Sequence, residues 1–283
     1  MTGGTYGSPT SDVVRNCLGY VPEFIGNEFP PVYFDGRVGG SFRGTDAEAV
    51  SAESRPAVSR QVADAYSCCA DRFPLSVRDA VTGEKRPTVT AFSVGRSTGA
   101  GMLLSASSPQ SPGVVFLAAD WPLGNPYWLA SLIAHESVHQ ALYVREAGAC
   151  PVRPSSLGYS PWKRRLRPGR WVWHAFWTFS CQLVMLGEAL VSERPVLADE
   201  RSVTVFTADM LARVEMCLRS LTDSNIVTPS EIERCEAALD TLERLTGELP
   251  PAFVQAKEKA RSTVFGEYRD WAVAMVSETS GPT

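Results

Sequence analysis

The sequence predicts an α+β fold, predominantly helical, in which a small antiparallel sheet packs on two central helices. Three observations predict it. Two long apolar segments, residues 126–146 and 171–192, read as buried helices. The run Thr88–Val94 alternates and is rich in β-branched residues, and the short apolar run Val114–Leu117 follows it. Residues 200–277 hold further helical stretches.

Taken in order, residues 1–11 are rich in Gly, Ser, Thr and Pro and are expected to be disordered, as is the tail 278–283. Residues 12–277 are read as one metal-dependent catalytic domain. The stretch Val21–Gly44, with its Pro, Gly and aromatic residues, suits an irregular packed segment. Residues 57–81 carry a helical pattern, with Val58, Val62, Ala65, Tyr66 and Cys69 on one side. Thr88–Val94 is expected to be a strand, Gly99–Gly101 a turn and Met102–Ala106 the return strand. Asn125 and Pro126 form a helix start, Asn as cap and Pro in the first turn, and Gly148 suits its end. Residues 149–170 read as a loop with Pro and Gly breaks and a basic cluster, Lys163, Arg164, Arg165, Arg167 and Arg170. The helix from Trp171 is apolar nearly all round and so central. Beyond it, helices are expected over about 200–222, 229–247 and 251–277, with Thr228 as a cap.

The 283 residues are 44% hydrophobic and 20% charged, enough apolar chain for a sizeable core. A net charge of -4 gives no global basic footprint for nucleic acid. No apolar stretch reaches membrane-spanning length, and Met1–Thr5 lacks a basic and apolar leader, so no membrane partner and no signal peptide are expected. The seven cysteines show no regular spacing. Cys17, Cys150, Cys181, Cys217 and Cys235 are read as reduced, mostly buried thiols, and adjacent Cys68 and Cys69 as two small helix residues, which points to a cytoplasmic protein. Oligomeric state is not legible.

The chemistry sits in the three histidines. His135 and His139 frame His135-Glu136-Ser137-Val138-His139, an H-E-x-x-H motif on the helix from Pro126. Positions i and i+4 of a helix project from one side, so both imidazoles can share a metal. His174 lies 35 residues further on, in Trp171-Val172-Trp173-His174-Ala175-Phe176-Trp177, and is the expected third ligand. Glu146 stands about 10 Å further along its helix, too far to turn back; Glu188 is about 21 Å beyond His174, so His174 and Glu188 cannot both be ligands, and Glu188 is the alternative third ligand of a zinc hydrolase. Three imidazoles leave the metal charge uncompensated. That suits zinc with water in an open position, or Fe(II) with an anionic co-substrate. Glu136 is the candidate catalytic residue: a general base in a zinc hydrolase, or a group orienting a ligand or substrate in an oxygenase. A third possibility is a scaffold or peptide-binding protein that keeps a closed structural metal.

Beyond the motif, the tract Ser107–Leu117 with Pro112-Gly113, then Tyr159-Ser160-Pro161-Trp162-Lys163 with Arg167-Pro168, then His174-Ala175-Phe176, follow one another in a fixed order. In these the chain resembles, over about residues 105–180, the HExxH-type peptide-modification proteins of bacterial natural-product clusters. Part of that family is 2-oxoglutarate-dependent HExxH-type peptide β-hydroxylases. The resemblance implies an Fe(II)/2-oxoglutarate dioxygenase that uses molecular oxygen to hydroxylate or otherwise oxidise an amino-acid side chain. That side chain would lie in a peptide or in a free or carrier-bound amino acid. Carried over, His135, His139 and His174 would hold iron. Arg167 would take the distal carboxylate of 2-oxoglutarate, with Arg164, Arg165 and Arg170 as competitors, and Trp162 would wall the site.

Overall fold

The computed structural model describes residues 32–33, 47–48, 50–69, 77–79, 83–85, 88–94, 105–110, 114–118, 126–191 and 200–279. Within the span read as one catalytic domain, the chain gathers into two compact units, Met1–Gly148 and Ala149–Thr283. As expected, the protein is predominantly helical α+β, with six helices among the described residues. Residues 1–11, Cys17 and the side chains of Tyr66, Cys68, Cys69 and Glu188 lie outside what is described.

In the first unit, strands β1 (Val32–Tyr33), β5 (Thr88–Val94), β7 (Val114–Ala118) and β6 (Ser105–Ser107) lie side by side in that order, and β2 (Ala47–Glu48) also pairs with β5. A separate antiparallel pair is β3 (Val77–Asp79) with β4 (Gly83–Lys85). Helices α1 (Arg55–Cys69) and α2 (Pro126–Ala149) complete the unit. The larger sheet is mixed: β5 runs parallel to β7, Thr88 opposite Val114, and β6 runs antiparallel to β7. The expected hairpin of residues 88–94 with 102–106 therefore does not form, because β7 stands between its two arms. The reason is burial. Val115, Phe116 and Leu117 are consecutive and all buried, as a strand covered on both faces requires, whereas Ser-Ala-Ser is half-buried and takes the edge. On α1, Val58, Val62 and Ala65 face inward at helical spacing. Helix α2 buries Leu129, Leu132, Ile133, Val138 and Leu142, nearly its whole circumference.

The second unit is a bundle of α3 (Gly169–Val191), α4 (Glu200–Asp223), α5 (Pro229–Gly247) and α6 (Pro251–Thr279), with a hairpin of β8 (Leu157–Ser160) and β9 (Arg165–Pro168). Helix α4 packs along both α3 and α6, and α5 closes against α3 and α4. Trp173, Phe176, Trp177, Leu183 and Leu186 are fully buried, so α3 is the central helix that its composition predicts. Helix α6 continues through Glu278 and Thr279, two residues into the expected tail. Thr228 does occupy the cap position of α5, through its carbonyl, which accepts from the N–H groups of Glu231 and Ile232; its hydroxyl makes no cap bond. No helix among the described residues is long and apolar enough to cross a membrane.

Residues 157–168, expected as loop, form the hairpin instead. Arg164 adopts φ 51 and closes the turn, its N–H and that of Lys163 donating to the Ser160 carbonyl. The hairpin lies close on the bundle. A Cβ on Gly158 would collide with Ile226 and come 2.9 Å from Ser220 Oγ. Arg213 of α4 donates to the Pro161 carbonyl and is held by Asp209 at 2.7 Å.

The bundle core also contains a carboxylate. Glu231, 1% exposed, accepts from the indole N–H groups of Trp173 at 2.7 Å and Trp177 at 2.9 Å, both on one oxygen. Arg234 lies 3.6 Å from the other oxygen. A buried donor left without an acceptor costs about 1–3 kcal/mol. Glu231→Ala therefore destabilises the protein by about 2–5 kcal/mol, since two indoles lose their acceptor at once. Glu231→Gln, which keeps an amide oxygen, costs less than half as much. Urea midpoints of the two variants measure the difference.

Candidate metal centre

Helix α2 places two residue pairs on neighbouring faces. His135 and His139, one turn apart, present imidazoles whose centres are 5.1 Å apart at an interplanar angle of 68°. A metal bound at about 2.1 Å from a ring nitrogen lies about 3.2 Å from the ring centre, so two ligands at a tetrahedral angle have centres about 5 Å apart. The pair fits a shared ion. Tyr143, a further turn on, stacks on His139 at 6.0 Å.

The second pair, Glu136 and Gln140, faces the sheet. Glu136 is buried, and its two oxygens accept from Ser105 Oγ and Ser107 Oγ of β6, each at 2.7 Å. Ser105 and Ser107 are two residues apart on a strand and so project from the same face, which makes their hydroxyls a fork for the carboxylate. Gln140 donates to the carbonyls of Ser108 and Val114, both at 3.2 Å. Burial pushes the Glu136 carboxyl up from 4.5 to about 7, against the two serine bonds, which pull it down. Ser105, Ser107 and Gln140 escape a reading by motif. The legible signal is the alternate serines of a short strand ahead of H-E-x-x-H.

His174 belongs to the second unit. It is fully buried on α3, and its imidazole meets Trp171 edgewise at 5.5 Å and Trp173 at 5.3 Å. Among the described residues no group of three or more His, Cys, Asp or Glu side chains is gathered to hold a metal ion. The structure brings His135 and His139 together, and the expected third ligand lies in the other unit.

The remaining expected site residues also fall in the second unit. Trp162 stacks flat on Phe179, with centres 3.8 Å apart, so its ring is engaged in packing. Arg164 is exposed at the hairpin turn and pairs with Glu267 at 2.7 Å, which leaves it poorly placed to take a second carboxylate. Arg167 is different. It is half-buried on β9, with its guanidinium carbon 5.6 Å from the centre of the Trp171 ring. Burial and the neighbouring Arg165 both lower its pKa, and no carboxylate of the described residues stands against it. Arg170 lies over the same ring at 4.5 Å. No protein-family model and no curated protein matches this chain.

A carboxyl whose folded pKa exceeds its unfolded one binds its proton more tightly in the native state. For Glu136 this stabilisation is complete below about pH 4.5 and is lost as pH rises to about 7. In protein stripped of metal by chelation, the urea midpoint falls across that window by the equivalent of up to about 3 kcal/mol. Glu136→Gln flattens the profile. The Ser105→Ala, Ser107→Ala double variant moves the loss to higher pH, because it removes the bonds that favour the ionised form.

Proposed function

We propose that this protein is a cytoplasmic non-haem Fe(II)/2-oxoglutarate-dependent dioxygenase. It would oxidise an amino-acid side chain, in a peptide or in a free or carrier-bound amino acid, within natural-product biosynthesis. The observation that carries this reading is Arg167: a half-buried guanidinium with no carboxylate against it among the described residues, seated on the indole that also touches His174. A 2-oxo dicarboxylate needs a cation for its far carboxylate, and a guanidinium offers two parallel donors for it. Cleavage of a peptide bond makes no such demand.

In this reading His135, His139 and His174 would hold the iron. Iron, 2-oxoglutarate and dioxygen together supply the two-electron oxidation of a C–H bond, with loss of carbon dioxide from the keto acid. The chain's own contribution is placement. Ser105 and Ser107 hold the Glu136 carboxylate, and with it the helix that presents His135 and His139. Trp171 and Trp173 keep polar solvent from His174. Arg167 orients the co-substrate.

A zinc hydrolase is the second reading, and one observation favours it: a Glu136 carboxyl with a pKa of about 7 is suited to serve as a general base. Against this, both Glu136 oxygens already accept serine hydroxyls.

Anaerobic Fe(II) reconstitution followed by 2-oxoglutarate tests the proposal. A weak visible charge-transfer band develops, His174→Ala abolishes it, and Arg167→Ala raises the 2-oxoglutarate concentration needed by about 10–100-fold, the worth of a charge-assisted hydrogen bond. Tight stoichiometric zinc with no band overturns the oxygenase reading in favour of the hydrolase.

A further inference from the structure

Along α2, Tyr143 follows His139 at the interval at which His139 follows His135, so the three rings form one stripe on the helix. Side chains of a helix lean toward its N-terminus, so each ring lies over the turn before it. The Tyr143 ring is within 16° of parallel to the His139 imidazole, with centres 6.0 Å apart. On its other side the same imidazole meets His135 at 68°. All three side chains are half-buried, so close packing on every side does not fix their planes.

We infer that Tyr143 is a positioning residue of the histidine pair: its ring sets the plane of the His139 imidazole, so that His139 and His135 aim at one point. The inference rests on the reading that these two histidines share an ion. It requires no particular metal and no third ligand, and every residue in it belongs to α2. The helix restricts the first side-chain torsion of His139, whereas the second, which turns the ring, is broad and roughly two-fold. That second torsion decides where an ion can sit, because a metal lies in the imidazole plane, about 3.2 Å from the ring centre. Turning the ring by about 30° moves that point by up to about 1.7 Å, against a tolerance of about 0.2 Å in a metal–nitrogen distance. A flat neighbour lying nearly parallel favours one setting of the ring over the others. The contact is made by the faces of the two rings, so the Tyr143 hydroxyl has no part in it.

Titration of chelator-stripped protein with Co(II), followed by its visible d–d bands, tests this without turnover. The bands appear in the wild-type protein and are lost in His135→Ala. Tyr143→Ala weakens Co(II) binding by about two- to twelvefold, the equivalent of 0.5–1.5 kcal/mol for an aromatic pair. Tyr143→Phe, which keeps the ring, restores wild-type affinity. Tyr127→Ala, which truncates a half-buried tyrosine in the first turn of the same helix, leaves the affinity unchanged. The inference fails if Tyr143→Ala binds Co(II) as the wild-type protein does. It fails equally if Tyr143→Phe is as weak as Tyr143→Ala, since the hydroxyl then acts. If Tyr127→Ala and Tyr143→Ala weaken binding alike, the loss is one of helix packing, and the inference is again overturned. In those three cases the shared ion stands. If the wild-type protein shows no bands that His135→Ala removes, the shared ion and the inference fall together.

Discussion

The first unit depends on the period of one helix. Because α2 advances 3.6 residues per turn, His135 with His139 and Glu136 with Gln140 form two pairs on adjoining faces. One pair is half-buried with its imidazoles side by side, and the other is hydrogen-bonded to β6, β7 and the residue after β6. Neither pair works alone. Imidazoles on a helix free to rotate or slide would not hold their spacing, and the carboxylate and amide suppress both motions through directional bonds. A slip of one residue would bring the wrong pair to the sheet and leave a carboxylate buried without donors.

Every strongly buried carboxylate described is supplied with donors. Glu136 has two serine hydroxyls, Glu231 two indole N–H groups, and Glu215 a bidentate Arg261 at 2.6 and 2.7 Å. The partners differ in kind, and so do the consequences. Arg261 neutralises Glu215, whereas burial, only partly offset by the two serine bonds, raises the Glu136 carboxyl to about 7. The structural carboxylates thus face strong or multiple donors from distant elements, while the one beside the histidines keeps a proton affinity that neutral pH can change.

Much of this was readable in the chain. The apolar circumference of α2 and α3 fixed both as interior helices, and H-E-x-x-H needed only that helix to place its imidazoles together. Strand order was not readable. Thr88–Val94 and the strand that ends at Ser107 look like hairpin arms because they are neighbours in sequence, and the preference of Val115–Leu117 for a position covered on both sides appears only when strands compete for the centre. The basic stretch 163–167 reads as a solvated loop because side-chain charge is visible in sequence and backbone pairing is not. Within it, Arg164 and Arg167 are the same residue type, and they part company only through Glu267, more than a hundred residues away. Ser105 and Ser107 match no motif, since a lone serine carries no sign of what it will donate to.

The close seating of the hairpin divides its twelve residues into two evolutionary regimes. At its base, a side chain on Gly158 would strike Ile226, and one on Gly169, the next residue after β9, would strike Ser156 and Ile226. Those two positions admit no drift without rebuilding α4 and its following turn. At its tip, Lys163 and Arg165 are exposed and bear no packing load. The tip can therefore change in length and charge while the base, with Arg167 on it, stays fixed, so substitutions there alter the surface without reopening the fold.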